Sequence, residues 1–456
     1  MTFQPTAQLR GRFAASLSEM YGREVPAYTT LVDVATQINA ELGGNHRVTA
    51  ERHGAIRVGT PSELRQVGQI FGGFGMHPVG FYDLRDTGSV AVPVVSTAFR
   101  PIDADELELN PFRVFTSMLT VDDARFFSTD LRNRLETFLG QRTLFSAELL
   151  DLAARATEQQ GLDGADADRF VALATAAFEL SDEPTDRAWY TELADVSAVA
   201  ADIGGVSRTH INHLTPRVLD IDELYRRLQA RGLAMIDKIQ GPPRWSGPDV
   251  LLRQTSFRAL DETRLFIEPD GSVVEGTTRV RFGEVEQRGI ALTPLGRQRY
   301  DTLMADTDAA AATGLSWQDA GRQVWEASDF AGDETALRRG GLAYFSYRIA
   351  EGFDHSALPR TTDINHLIDA GAVVATPIVY EDFLPRSAAG IFQSNLTGDG
   401  TMNDDRDAAR YDIDWLAATL GRTVHLPEDV YAAQSEQSLR ACLQALRLEQ
   451  ETTHVR

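Results

Sequence analysis

The 456-residue chain is 43% hydrophobic and carries a formal charge of −22. That is enough apolar content to bury one large core or two to three smaller ones, and the acidity, with no Lys/Arg run to offset it, argues against a nucleic-acid partner. No stretch approaches the roughly 20 apolar residues that span a bilayer, and the opening MTFQPTAQLRGRF lacks the apolar core of a signal peptide, so the expectation is a cytoplasmic enzyme without a membrane partner.

In chain order, residues 1–45 carry helical periodicity in LRGRFAASLSEMYG and YTTLVDVATQINAEL. Residues 46–140 are β-rich, with HGAIRVGT and VAVPVVSTAFR as strands. Residues 141–205 form a helical insertion, where LFSAELLDLAARATEQQG and DADRFVALATAAFEL read as two amphipathic helices. Residues 206–400 hold the most regular pattern: THINHLTPRVL as a strand, IDELYRRLQARG as a helix, then strands through RVRFGEVEQRGIAL. This is a βαβββ order, a unit that curls its sheet around a cavity when two copies meet. The letters show no internal repeat, so the second copy is expected from the fold alone. Residues 401–456 are a charged helical tail, in which the single cysteine, Cys442, fits a helix face in SLRACLQALRL. One cysteine excludes an intramolecular disulfide and any multi-thiolate metal site, leaving His and carboxylate as the available ligands. The class is α+β.

Three places concentrate polar residues inside apolar, Gly-containing sequence. In Glu51-Arg52-His53-Gly-Ala-Ile-Arg57, an imidazole and a guanidinium share a strand face. In Thr209-His210-Ile-Asn-His213, a strand would send the two histidines to opposite sides, so at most one enters the cavity. In Arg281-Phe-Gly-Glu284-Val-Glu286-Gln-Arg288, the two glutamates share a face. Two neutral imidazoles and one carboxylate with open positions are the ligand set of non-haem iron(II) oxygenases, and the same set holds zinc. The pattern equally fits His53 as a hydrogen-bonded turn residue, His213 as a satisfied core histidine, and Glu284 as half of an ion pair with Arg281 or Arg288.

At these residues the sequence resembles the 2-oxoadipate dioxygenase/decarboxylases (2-hydroxyglutarate synthases). ERHGAIRVGT, FGMHPVGFYDL, VPVVSTAFRP, INHLTPRVLDID, LLRQTSF, RFGEVEQRGIALTPLGRQRYD and SAAGIFQSNL follow in family order over most of residues 50–396. The resemblance implies a vicinal-oxygen-chelate-like βαβββ half-barrel core with added helices. It also implies Fe(2+) held by His53, His213 and Glu284, with His210 and Glu286 as the alternatives. Arg57 would bind the substrate, with Gln254, Ser256, Arg386 and Ser387 as further pocket candidates. The implied reaction converts a small 2-oxo dicarboxylate, 2-oxoadipate, and O2 to 2-hydroxyglutarate and CO2. A redox-neutral lyase or isomerase on the same scaffold is the alternative, separated by dioxygen consumption. Two positions depart from the family: His77 stands where relatives commonly have Tyr, and Arg386 where they commonly have Val, with Glu381 and Asp382 as nearby acids for it. Oligomeric state is left open.

Overall fold

The computed structural model describes residues 2–86, 91–279, 281–385, 402 and 408–448. Helices and sheets are mixed throughout, and no helix among the described residues is long and apolar enough to cross a membrane. The chain divides into two compact units, Met1–Gln240 with Arg253–Gln287 and Asp382–His425, and Gly241–Leu252 with Arg288–Glu381 and Leu426–Arg456.

In the first unit, α1 (Thr6–Glu24) and α2 (Pro26–Glu41) bury one stripe each, Leu9, Phe13, Leu17 and Met20 on the former and Leu31, Val34 and Ile38 on the latter. Pro26 sits where a helix has no use for its first N–H. The sheet follows: β1 (Arg52–Val58), α3 (Pro61–Gly73), β2 (His77–Asp83), β3 (Val94–Arg100) and β4 (Arg113–Leu119). A capping box fixes the β1–α3 turn, with the Thr60 hydroxyl on the Glu63 N–H and the Glu63 carboxylate on the Thr60 N–H. The strands lie in the order β2–β3–β4–β1, with β1 and β4 parallel and the rest antiparallel. This is a βαβββ unit with its first strand beside its fourth.

After α4 (Ala147–Gln159), α5 (Gly164–Ala176) and α6 (Ala198–Gly204), the order repeats. β5 (Ile211–Pro216) leads to α7 (Ile221–Ala230), then to a bridged segment at Met235 and Gln240, then to β6 (Leu252–Ser256). A hairpin of β7 (Glu262–Ile267) and β8 (Val273–Thr278) leaves the sequence of strands before β9 (Glu284–Arg288) closes it. β9 pairs with β6, and Arg217, at the end of β5, bridges Glu286 in parallel. First strand beside fourth, fourth beside third, third beside second: the connectivity of the β1–β4 unit recurs, which the letters do not reveal.

The two units of strands meet through their first members. β1 and β5 are antiparallel, with Gly54 opposite Leu214, His53 opposite Thr215 and Ala55 opposite His213. A two-fold relation about the Gly54–Leu214 pair carries His53 onto His213. Ile56, Ile211 and Leu214 enter one apolar cluster, and Ala55 and Phe115 another, so His53, Ala55 and Arg57 occupy the face away from Ile56.

The second compact unit contains a hairpin of Phe345–Ile349 and Val373–Pro377 and the helix Pro427–Ala445. Cys442 is buried there among Leu367, Val373, Leu443 and Leu446, a structural position of the kind its helix pattern suggests.

Candidate functional site

Each metal-ligand candidate arrives on a strand of the same face. His53 comes from β1, His213 from β5 and Glu284 from the first position of β9. His53 Nε2 lies 3.3 Å and His213 Nε2 2.9 Å from the same oxygen, Oε2 of Glu284. The imidazoles stand edge to face, 5.4 Å between centroids. Among the described residues these three are the one group of His, Cys, Asp or Glu whose ligand atoms all fall within 4.8 Å, and all are buried.

The alternatives differ in their side-chain contacts. Glu286 follows Glu284 on the same face, but its Oε2 lies 2.8 Å from Nδ1 of His53, on the far side of the ring, and its Oε1 accepts from Arg113 Nη1 at 3.1 Å. Arg113 also reaches Glu51 at 2.6 Å, and Arg217 reaches the other oxygen of Glu51 at 3.0 Å. Glu286 therefore sits behind His53, on the side from which a carboxylate orients a metal-bound histidine. Nor is Glu284 half of an ion pair with Arg281 or Arg288. Arg281 is bound to Glu24 and Glu262, and Arg288 donates to the Tyr380 carbonyl. Gln254 Nε2 donates to Oε1 of Glu284 at 2.8 Å and Thr215 Oγ1 to Oε2 at 3.2 Å. Gln254, read from sequence as a pocket residue, thus holds the carboxylate; Ser256 is buried two residues on along β6.

The expectation that His210 and His213 face opposite sides is corrected. The β1–β5 register shifts between Ala55 and Ile56, so that Ala55 faces His213 while Ile56 faces Ile211. Asn212 is the extra residue of a β-bulge, and the bulge returns His210 to the side of Arg57. There Arg57 Nη1 meets Asp202 Oδ2 at 2.5 Å, Asn212 Nδ2 donates to the same oxygen at 2.9 Å, and His210 Nε2 lies 3.4 Å from Oδ1.

Charges follow this geometry. Burial works to raise Glu284, but the His213 and His53 imidazoles outweigh it and pull the carboxyl down to about 2. Burial works to lower His53, yet Glu286 and Glu284 on its two nitrogens raise it. Burial holds His213 below its ordinary value against the pull of Glu284, with His53 and Arg57 adding to the effect. Two imidazoles converging on one oxygen of a carboxylate that stays ionised form a donor set chemically suited to a divalent cation. Over it, the Phe383 ring stands perpendicular to His53 at 5.0 Å and lies 5.0 Å from Phe115. Asp382 is fastened to Arg100 by two hydrogen bonds of 2.7 and 2.8 Å, both side chains fully buried. That contact occupies one of the two acids considered for Arg386. Arg386 and Ser387 lie outside the described residues. His77 opens β2 on the surface beside His425, ring centroids 5.8 Å apart, and takes no part in the triad.

Sequence reasoning missed Asp202, Thr215, Arg113 and Phe383. Thr215 lies within the INHLTPRVLDID stretch but was given no role, and Asp202 comes from a seven-residue helix, AVAADIG, buried from Val199 to Gly204, whose letters carry no motif.

Residues 13–395 match the family model described as 2-oxoadipate dioxygenase/decarboxylase. A 2-oxoadipate dioxygenase/decarboxylase of Mycobacterium tuberculosis is 54% identical over 445 residues, covering 95% of this chain and 98% of that one. The crystal structure of the hydroxyglutarate synthase from Pseudomonas putida in complex with 2-oxoadipate superposes with a TM-score of 0.82 at 38% identity, covering 98% of this chain and 99% of that one. A glyoxalase-superfamily protein from Ralstonia eutropha shares the fold at 22% identity and a TM-score of 0.50, over 63% of this chain and 84% of that one.

Proposed function

The chain belongs to the 2-oxoadipate dioxygenase/decarboxylase family, and from that premise we propose that it converts 2-oxoadipate and O2 to 2-hydroxyglutarate and CO2 at an iron(II) ion held by His53, His213 and Glu284. The observation that carries this reading is the convergence of two imidazoles on one carboxylate oxygen in a buried site. The repeated βαβββ connectivity, with first strands paired, supports a vicinal-oxygen-chelate core as the frame of that site. Iron(II), when bound, supplies the redox chemistry with dioxygen and a chelation site for a 2-oxo acid.

The protein's own part is placement. His53, His213 and Glu284, from three strands, would hold the ion on the face that also carries Arg57. Glu286 and Gln254 hold His53 and Glu284 against rotation, so the ligands need little reorganisation. Arg57 lies four residues beyond His53 along β1, about 13 Å between Cα atoms at strand spacing, a gap that its long side chain and a six-carbon diacid can cover together. Its guanidinium offers a planar fork to a carboxylate, setting which 2-oxo acid fits and in what orientation. Phe383 and Phe115 keep the space beside His53 dry.

The experiment is an oxygen-electrode assay of iron(II)-loaded protein across C5 to C7 2-oxo diacids, with product analysis. Oxygen uptake, CO2 and 2-hydroxyglutarate should appear in equal amounts with 2-oxoadipate. Turnover of the substrate without oxygen uptake would instead mark a redox-neutral enzyme.

A further inference from the structure

Asp202 is the one acidic side chain that α6 delivers to this face, and it is 5% exposed. Three groups hold it: Arg57 at 2.5 Å, Asn212 at 2.9 Å and His210 at 3.4 Å. The helix behind it is fixed, since the Ser197 hydroxyl caps it on the Val199 N–H. The bulge at Asn212 has a purpose in this light, because a regular strand would turn the Asn212 amide away from Asp202. A half-buried guanidinium, Arg264, acts electrostatically on both Asp202 and His210, while Glu262 acts on it in turn and its Nη1 donates to the Ser181 carbonyl at 3.0 Å.

We propose that Asp202 is a positioning residue for the diacid substrate: by binding Nη1 of Arg57, it fixes the plane in which the guanidinium meets a substrate carboxylate. This rests on the reading above that Arg57 binds substrate. An arginine side chain has a large rotamer freedom to lose, and a partner that removes it before the substrate arrives lowers the cost of binding. The helical insertion thereby enters the specificity of a site whose metal ligands all come from strands.

The test uses iron(II)-loaded full-length protein and 2-oxoadipate. Asp202→Asn keeps the shape and removes the charge. It should raise KM about tenfold or more while kcat changes by less than about threefold and iron(II) affinity stays as in the wild type. In an Arg57→Ala background the same change should have no further effect on KM, because the residue through which Asp202 acts is gone. If Arg57→Ala alone leaves KM unchanged, the reading of Arg57 fails and the inference with it. If Arg57→Ala raises KM but Asp202→Asn does not, or if their effects multiply, Asp202 is not a positioning residue. Should Asp202→Asn fold poorly, Asn212→Ser removes the amide that anchors Asp202 and leaves both charges in place. Its KM should rise several-fold, and an unchanged KM overturns the proposal.

Discussion

At the scale of single residues, two like glutamates hold different places in the site. Glu284 and Glu286 are alike in type, face and burial, and only their partners tell them apart: two imidazole Nε2 atoms for one, an imidazole Nδ1 and Arg113 for the other. Glu286→Gln should keep the fold and weaken iron(II) binding by about 10- to 100-fold, the usual cost of losing a partner behind a metal-bound histidine. Metal titration by calorimetry checks this, and unchanged affinity would remove Glu286 from that role. His210 gives a second prediction. Burial, opposed by Asp202, lowers it to about 3. The unfolded chain takes up that proton below about 6.5 while the folded chain resists it, so the stability contribution is full above that pH and declines as pH falls, by about 1.4 kcal/mol per unit. Between about pH 7.5 and about pH 5 this amounts to about 2 kcal/mol. Urea midpoints of wild type and His210→Gln at both values should converge toward the acid side, whereas parallel shifts would exclude His210 as the cause.

At the scale of elements, the legible parts of the sequence were those with strong period. Residues 53–57 alternate as a strand should, and the stretch 144–180 folds into α4 and α5 as its apolar spacing indicates. The β5–α7 order and the βαβββ sequence around it were readable too. Its counterpart in β1–β4 was not, because a sheet's strand order is kept by hydrogen bonds between backbones and leaves little trace in side-chain identity. The bulge at Asn212 was invisible for a related reason: one extra residue reverses every face beyond it, and no letter announces the insertion. The glycines of RFGEVEQRG were noted without a role, and the packing supplies one. A Cβ on Gly283 would sit 1.9 Å from Cε1 of Phe257, whose own N–H donates to the Gly283 carbonyl at 3.0 Å. Gly283→Ala should therefore cost about 1–3 kcal/mol by overpacking. Because the displaced backbone leads into Glu284, iron(II) affinity should fall as well. Denaturant midpoints together with metal titration test the pair of effects, and a loss of stability with full metal affinity would show that β9 absorbs the strain before Glu284.

At the scale of the whole molecule, the charges are arranged against the expected ligand and yet made to admit it. The formal charge is −22, and all but one of the 44 basic residues are arginine, Lys238 being the exception. Arginine is the cation suited to buried pairing with carboxylates: Arg100 forks onto both oxygens of Asp382, Arg113 spans Glu51 and Glu286, and Arg57 meets Asp202 through Nη1. The surface excess is negative, while the cations that would meet a substrate lie inside. A dianionic 2-oxo diacid must then approach against a long-range repulsion and bind through a short-range attraction. Salt acts on these two differently: the screening length falls from about 30 Å at 0.01 M to about 8 Å at 0.15 M, which removes the distant field first and leaves buried contacts largely intact. Raising ionic strength over that interval should therefore raise kcat/KM for 2-oxoadipate, or at least not lower it, and should do so more than for a monocarboxylic 2-oxo acid of similar length. The measurement is kcat/KM against sodium chloride for both substrates on iron(II)-loaded protein. A steady decline for the diacid would mean that surface charge steers it inward, with a local positive entrance outweighing the global excess.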